Sequence, residues 1–256
     1  MIDENSIYVA CEKTSKELKN KIEKEVSEKF SDIKPDLSDI DWNKDGYFIY
    51  SLLNRKFTFP IAFEYLGFDN FSNYNEKVKY FGIDDVNTQK SSDNVEILFY
   101  NNTEDFAVKI KTNENDRLIL YKTNENSDFE NYWTDVELKR KKYDGNRKLN
   151  KIDILKIPYI LVNTSIEYKE LHNKIIKNTN QKISSAIQNV EFTLNEQGGG
   201  VQSEASIVTI TQGLTLDTPR KFIFNDSFIV FIQQEGADLP YFAYKITDID
   251  PLVKEK

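Results

Sequence analysis

The residues that most often carry catalysis are scarce in this chain. Its 256 residues include a single cysteine, Cys11, and a single histidine, His172. One cysteine excludes an internal disulfide and a cysteine-based zinc site, and one histidine excludes any site that needs two imidazoles. A Ser–His–Asp or Cys–His centre would have to use His172, which lies in a polar stretch with no nucleophile motif around it. We therefore expect His172 to be an ordinary surface or boundary residue.

Pairs of carboxylates are the other candidates for catalysis. Asp84 and Asp85 are adjacent, so in a strand their side chains would point to opposite faces. Asp248 and Asp250 lie beside the C-terminal tail. An enzyme that uses a carboxylate pair is therefore the hypothesis that we favour least. We expect instead a protein that is not an enzyme and has no cofactor or metal.

Charge and hydropathy narrow the range of partners. The net charge of −8 disfavours binding to the phosphate backbone of nucleic acids, and the basic run 139–142 fits a solvated helix end. No apolar stretch reaches the roughly 18 residues that span a membrane. Residues 1–5 do not resemble the start of a signal peptide. We expect no nucleic-acid or membrane partner and a cytoplasmic location by default, unless the N-terminus is truncated.

Hydrophobic periodicity predicts a few helices and many strands. Residues 14–30 carry an apolar residue at every fourth position, which predicts a helix, and Thr14 with Glu17 forms a capping-box pattern at its start. Further helices are predicted over 129–142, 167–176 and 181–187. Alternating or short apolar segments predict strands over 47–53, 57–63, 95–100, 106–110, 118–121, 152–160, 187–194, 221–232 and 241–246.

A long segment separates two of these strands. Residues 195–219 follow the strand at 187–194, and connections longer than about 12–15 residues are usually functional or disordered. Three of the chain's nine glycines occur together at 198–200, without the spacing of a phosphate-binding loop. We interpret them as a flexible hinge, because glycine adopts backbone angles that other residues avoid.

Four segments of the C-terminal quarter occur in a characteristic order. An apolar strand ends in Asn-Glu-x-Gly at 192–198, small residues follow at 203–206, and strand-forming segments lie at 219–232 and 239–246. In this order and near this spacing they resemble the serpin family. The resemblance implies an α+β, serpin-like fold with predominantly antiparallel sheets, a few helices and an exposed reactive-centre-type loop, formed by a single domain over residues 1–256.

The chain departs from the family pattern at several points. It is short for a serpin, and the part without a counterpart is the set of N-terminal helices that support the large sheet. Gln188 stands where the family usually has a histidine, and Phe57 where it usually has a tryptophan. Ser227 replaces a usual proline and Tyr244 a usual glycine. These departures indicate a divergent or truncated relative.

The resemblance assigns a role to the long segment. In inhibitory serpins the cleaved loop inserts as a strand into a sheet, and an inserted strand buries every second side chain. The alternate set from Gly199 through Ala205 to Thr211 carries no charge, whereas Glu204 falls in the outward set. The alternative is an uncleaved surface loop or an edge strand that is already paired. The expected hinge residues are Glu196, Gly198, Gly199, Gly200, Ser203 and Ala205.

The expected bait bond lies near Leu216–Asp217. Cleavage after Leu216 would suit a chymotrypsin- or elastase-like protease, and cleavage after Asp217 would suit an Asp-directed protease. A trypsin-like partner is disfavoured, because no lysine or arginine lies between Ala205 and Pro219. The residues assigned to the reactive loop around this bond are Leu214, Thr215, Leu216, Asp217 and Thr218.

Two hypotheses about function follow from the resemblance. The first is a serpin-like protease inhibitor that acts through an exposed loop at about 198–218, which inserts into a central sheet on cleavage. The alternative is a non-inhibitory serpin-fold protein with a binding or structural role.

Overall fold

The computed structural model describes residues 6–31, 33–85, 90–199 and 218–255. These residues contain two α-helices and fifteen strands. The helices are α1 (Lys16–Lys29) and α2 (Phe129–Lys142). The strands are β1 (Ile7–Lys13), β2 (Tyr47–Asn54), β3 (Phe57–Thr58), β4 (Glu64–Asn70), β5 (Lys77–Ile83), β6 (Val95–Asn102), β7 (Asp105–Lys111), β8 (Asp116–Lys122), β9 (Ile154–Pro158), β10 (Ile160–Glu167), β11 (Ile183–Leu194), β12 (Gly198–Gly199), β13 (Lys221–Ile223), β14 (Phe228–Gln234) and β15 (Phe242–Ile246).

The chain divides into two compact units. The larger unit consists of Lys56–Leu161 and Thr193–Lys256, and the smaller unit consists of Ile2–Arg55 and Val162–Phe192. The single domain over residues 1–256 stays a prediction.

Helix α1 of the smaller unit packs on its sheet through the apolar stripe that the sequence predicted. Leu18, Ile22 and Val26 are buried, because residues four apart lie on one face of a helix. They share a hydrophobic core with alternate residues of β2, namely Phe48, Tyr50 and Leu52.

The start of α1 differs from the predicted capping box. Ser15, not Thr14, caps the helix, and its Oγ accepts a hydrogen bond from the Leu18 N–H at 3.1 Å. Thr14 is buried and donates through its hydroxyl to the Gly46 carbonyl at 3.0 Å. It also lies 2.6 Å from the Ser184 Oγ, so this threonine connects the helix start to β11.

The smaller unit contains a four-stranded sheet of order β1-β2-β11-β10. Strand β1 runs antiparallel to β2, with Cys11 opposite Ile49, whereas β11 runs parallel to β2, with Val190 opposite Leu53. Strand β11, which also carries Phe192, is interior in this order, as the sequence predicted.

The predicted helices over 167–176 and 181–187 are wrong. Strand β10 extends to Glu167, a single 3-10 turn covers Lys169–Leu171, and β11 begins at Ile183. The Tyr47 N–H donates to the Lys182 carbonyl at 2.8 Å, which fixes the start of the pairing between β2 and β11. Hydrogen bonding to a distant strand therefore outweighs the local helical pattern.

The larger unit contains a five-stranded antiparallel sheet of order β15-β14-β8-β7-β6 and a four-stranded sheet of order β13-β9-β5-β4. Helix α2 packs on the five-stranded sheet, where Trp133 lies 5.4 Å from the ring of Phe231. The Phe106 ring lies 5.4 Å from that of Phe222 and 5.0 Å from that of Phe224, so aromatic pairs join the second sheet to the first.

The basic run at the end of α2 is not wholly a solvated helix end. The Lys139 Nζ lies 2.7 Å from Asp135, 2.9 Å from Asp105 and 3.1 Å from the Tyr121 hydroxyl. Burial acts to lower the pKa of Lys139, but the bonds to the two carboxylates raise it above its usual range. Lys139 is thus a structural cation that joins α2 to the five-stranded sheet.

Candidate functional site

A tight turn at the end of β11 begins the long segment. The Asn195 N–H donates to the Gly198 carbonyl at 2.8 Å, and the Gly198 N–H donates back at 3.1 Å. The Asn195 Oδ1 accepts the Gln197 N–H at 2.9 Å, as asparagine side chains do in turns. The chain then pairs with β3 through Gly198 and Gly199, opposite Thr58 and Phe57 respectively.

The two glycines are buried in this short strand pairing, so the exposed loop expected over about 198–218 does not include these two positions, which instead match the alternative of a strand that is already paired. Gly198 has a φ of +131°, and a Cβ there would lie 2.4 Å from the Phe57 carbonyl oxygen. The positive φ agrees with the expectation that these glycines adopt unusual backbone angles, but close approach to β3 is the stronger requirement for glycine at residue 198. The assignment of these glycines as a hinge stays a prediction.

Replacing Gly198 with alanine should separate this close approach from simple backbone strain. Gly236 is a matched control, because its φ is +82° and nothing lies within 4 Å of its missing Cβ. We expect Gly236→Ala to cost about 1–2 kcal/mol of unfolding free energy and Gly198→Ala about 1–3 kcal/mol more. Urea denaturation measures both. Equal losses of unfolding free energy in the two variants would show that the backbone of β3 moves aside without cost to accommodate a Cβ at residue 198.

Glu196, at the centre of the turn, is a buried carboxylate. Glu196 and Tyr159 are 8% and 6% exposed, and among the described residues neither the Glu196 Oε2 nor the Tyr159 hydroxyl has a hydrogen-bond partner of normal geometry. Burial and then the Glu196 carboxylate raise the pKa of Tyr159 above its usual range. The Lys79 Nζ lies 4.3 Å from the centre of the Tyr159 ring. The buried carboxylate of the turn and the buried Tyr159 hydroxyl therefore interact with each other.

The far end of the segment is held by a different kind of contact. Thr218 is exposed, but two residues later the Arg220 Nη2 lies 2.6 Å from the Asp153 Oδ2. The Asp153 side chain is 1% exposed and the Arg220 side chain 15% exposed, so the ion pair joins a buried carboxylate to a partly buried guanidinium. Arg220 lies in the segment 219–232 that the sequence predicts to form strands, and it directly precedes β13. No local pattern could have linked it to Asp153, which precedes β9.

Most of the residues assigned to the loop lie outside the described part of the chain. These are Gly200, Ser203, Ala205, Leu214, Thr215, Leu216 and Asp217. The hinge and bait-bond assignments at these positions stay predictions.

The boundary between β2 and β11 has a topology that suits an added strand. The two strands are parallel neighbours from Tyr47 opposite Ile183 to Asn54 opposite Glu191. A chain that leaves the C-terminal end of β11 and turns back runs antiparallel to β11, and therefore antiparallel to β2 as well. Such a strand would replace one parallel pairing with two antiparallel pairings, which are slightly more stable per residue.

The single histidine lines a small cavity of about 150 Å³ in the smaller unit, where its Nε2 lies 3.2 Å from the Glu167 Oε1. Ser185 also contacts Glu167, with its Oγ 3.4 Å from the same oxygen. The carboxylate therefore lies between the serine and the histidine, and the arrangement is not a catalytic triad, in which the histidine occupies the middle.

The carboxylate pairs do not form an evident catalytic site. The Asp248 Oδ1 accepts the Asp250 N–H at 3.0 Å in a turn, and Asp84 is exposed beyond the end of β5. Within the described residues, no group of three or more histidine, cysteine or acidic side chains could hold a metal ion. Of the helices in the same part of the chain, none is long and apolar enough to cross a membrane.

Solved structures of serpins resemble this chain, although no protein-family profile and no curated protein matches its sequence. Serpin48, a highly specific serpin of the insect Tenebrio molitor, aligns with a TM-score of 0.55 and 12% identity over 97% of this chain and 78% of its own. Human glycosylated kallistatin aligns with a TM-score of 0.62 and 12% identity over 93% of this chain. This chain spans 64% of the length of kallistatin.

Human thyroxine-binding globulin in complex with thyroxine is a third similar structure, with a TM-score of 0.60 and 9% identity over 98% of this chain and 77% of its own. Together with the predominantly antiparallel sheets and the few helices, these similarities define the class. The chain has the α+β serpin fold, which confirms the expectation from its C-terminal quarter.

Proposed function

We propose that this protein is a serpin-type protease inhibitor whose reactive loop lies between Gly200 and Thr218. The observation that carries the proposal is the parallel pairing of β2 with β11 at the centre of the sheet, because a strand inserted between them after they separate could pair antiparallel with both. The uncharged alternate set of the loop supports it, because those side chains would enter the buried face. We propose no catalytic role for the chain itself.

The proposed partner is a protease that cleaves after Leu216 or Asp217. Its nucleophile would attack the carbonyl carbon of the cleaved residue, form an ester or thioester, and release the amine of the next residue. Insertion of the cleaved loop would then displace the bound protease before water completes hydrolysis. The absence of lysine and arginine from residues 200–217 disfavours a trypsin-like partner.

A panel of proteases tests this proposal. The intact protein is mixed with chymotrypsin, elastase, an Asp-directed cysteine protease and trypsin, and the products are separated by denaturing electrophoresis. We expect a denaturant-resistant complex with one of the first three and none with trypsin. Leu216→Gly should abolish a complex with chymotrypsin or elastase, and Asp217→Asn a complex with the Asp-directed protease.

Cleavage without a complex for every protease would overturn the inhibitory proposal. It would favour the alternative, a serpin-fold protein with a binding or structural role. The thyroxine complex of the globulin indicates that a small-molecule ligand is one form such a role can take.

A further inference from the structure

We infer that Arg220 and Asp153 hold the chain where the long segment ends at β13, and we call this pair the exit anchor. The exit anchor sets the C-terminal limit of the segment that a protease can attack, and it therefore fixes the position of the bait bond relative to β13. The inference rests on the proposed function only in taking the residues before Pro219 as the part that the partner protease recognises.

The exit anchor holds the backbone as well as the side chain of Arg220. The Arg220 N–H donates to the Asp153 Oδ1 at 2.9 Å, and the Arg220 carbonyl accepts the Ile154 N–H at 3.1 Å. A protease binds its substrate as an extended chain, and both of these backbone groups would have to be freed first. Susceptibility to cleavage depends on such burial and hydrogen bonding rather than on position in the sequence.

The guanidinium group of Arg220 has acceptors on several sides. Its Nη1 donates to the Asn146 carbonyl at 2.7 Å and to the Tyr143 hydroxyl at 3.1 Å, and its Nη2 donates to the Lys148 carbonyl at 2.8 Å. These contacts connect the exit of the loop to the turn after α2. Burial acts to lower the pKa of Arg220, but the Asp153 carboxylate raises it above its usual range, so the cation is held throughout the physiological pH range.

The two ends of the loop are therefore held with different strength. The start is held by backbone hydrogen bonds of the turn at Asn195 and by the two-residue pairing with β3. The exit combines a three-residue pairing of β13 with β9 and a multiply bonded ion pair whose carboxylate is buried. Charge-assisted, multiply bonded pairs are the stronger kind of contact. After a cut, the residues before it can leave while those after it stay at β13.

Trypsin provides a selective probe of this anchor. Residues 200–217 contain no lysine or arginine, whereas Arg220 and Lys221 stand directly after Pro219. Trypsin cannot cut the loop itself, so cleavage at these two sites reports only whether the exit is released. In the wild type we expect these bonds to be cut slowly. In Asp153→Asn, which keeps both sites, we expect cleavage after Arg220 or Lys221 to be about tenfold faster or more, as measured by mass spectrometry of timed digests.

Two further variants complete the design. Arg220→Gln keeps the Lys221 site and gives the same test if Asp153→Asn does not fold. Arg147→Gln is the matched control, because Arg147 also donates to backbone carbonyls of this region, at 2.8 Å to Leu98 and 2.7 Å to Arg140. We expect this control to leave cleavage after Arg220 and Lys221 near the wild-type rate. Hydrogen exchange of the β13 amides should accelerate in the first two variants and not in the third.

An unchanged rate in both Asp153→Asn and Arg220→Gln would overturn the inference, as would equal acceleration in Arg147→Gln. The trypsin assay needs no inhibition and no strand insertion. A protein that forms no complex with any protease would refute the proposed function while leaving this test of the anchor intact.

Discussion

Cleavage after Leu216 or Asp217 should raise the melting temperature of the wild-type protein by roughly 8–16 °C, the shift that a net gain of about 4 kcal/mol gives in a domain of this size. An inserted strand as long as the eight-residue β2 would add backbone hydrogen bonds, each contributing about 1 kcal/mol net, and would bury its inward side chains. Differential scanning calorimetry of intact and cleaved protein measures the shift.

Two neighbouring substitutions test which face of the loop enters the sheet. Ala205→Glu would place a carboxylate in the buried face, which costs several kcal/mol or forces protonation, so the stability gain on cleavage should vanish. Ser206→Glu, one residue on, would point to the opposite face and should leave the gain nearly intact. Both uncleaved variants should melt like the uncleaved wild type, because the proposal places the loop outside the core until it is cleaved.

The opposite pattern, with Ser206→Glu losing the gain, would reverse the assignment of faces. Equal melting temperatures of cleaved and uncleaved wild type would rule out insertion and favour the non-inhibitory alternative.

Loss of the Asp153 carboxylate should be among the most destabilising single changes in the larger unit. In Asp153→Ala the Arg220 cation would remain mostly buried without its counter-ion, and breaking such a pair costs about 3–5 kcal/mol. The corresponding fall in melting temperature is roughly 6–20 °C. Urea unfolding followed by circular dichroism gives the free energy directly.

A double-mutant cycle shows whether this cost belongs to the unpaired charge. Asp153→Leu combined with Arg220→Met removes both charges, and replacement of a buried pair by apolar residues is often neutral. We expect the double variant to recover the part of the loss that belongs to the unpaired charge, but not the part that belongs to the backbone N–H groups of Asn150 and Arg220, which also donate to Asp153. Additive losses would instead indicate that each side chain acts through separate contacts.

The helices α1 and α2 could be predicted because their signals are local. Apolar residues at helical spacing on one short stretch of chain are enough to define the buried face, as Leu18 and Ile22 do in α1. The first half of β11 could not be predicted in the same way, since Ile183 becomes a strand residue only by pairing with Tyr47. The role of Lys139 could not be predicted from its basic sequence neighbours either, because one of its two carboxylate partners, Asp105, is distant in sequence and the other is Asp135.

In the candidate site, too, the features with a local sequence signal could be predicted and the contacts between distant segments could not. The order of short motifs around Glu196 and Gly198 predicted the end of the strand at Leu194, because those motifs are contiguous in sequence. Two other contacts join segments that are far apart in the chain. Glu196 contacts Tyr159, which lies between β9 and β10, and Asp153 pairs with Arg220. Neither contact leaves a pattern within a single stretch of sequence, and both became visible only when the fold brought the partners together.

The exposed thiol on β1 makes the native sequence suitable for fluorescence kinetics. Cys11 is the single cysteine of the chain, it is exposed, and it stands opposite Ile49 of β2, the strand that borders β11. One reaction with a thiol-reactive dye therefore labels one defined point, one strand away from the β2–β11 boundary, without any engineered cysteine. Stopped-flow recording from such a label would time the widening of the sheet that the proposed insertion requires, and its rate could be compared directly with the rate of bond cleavage.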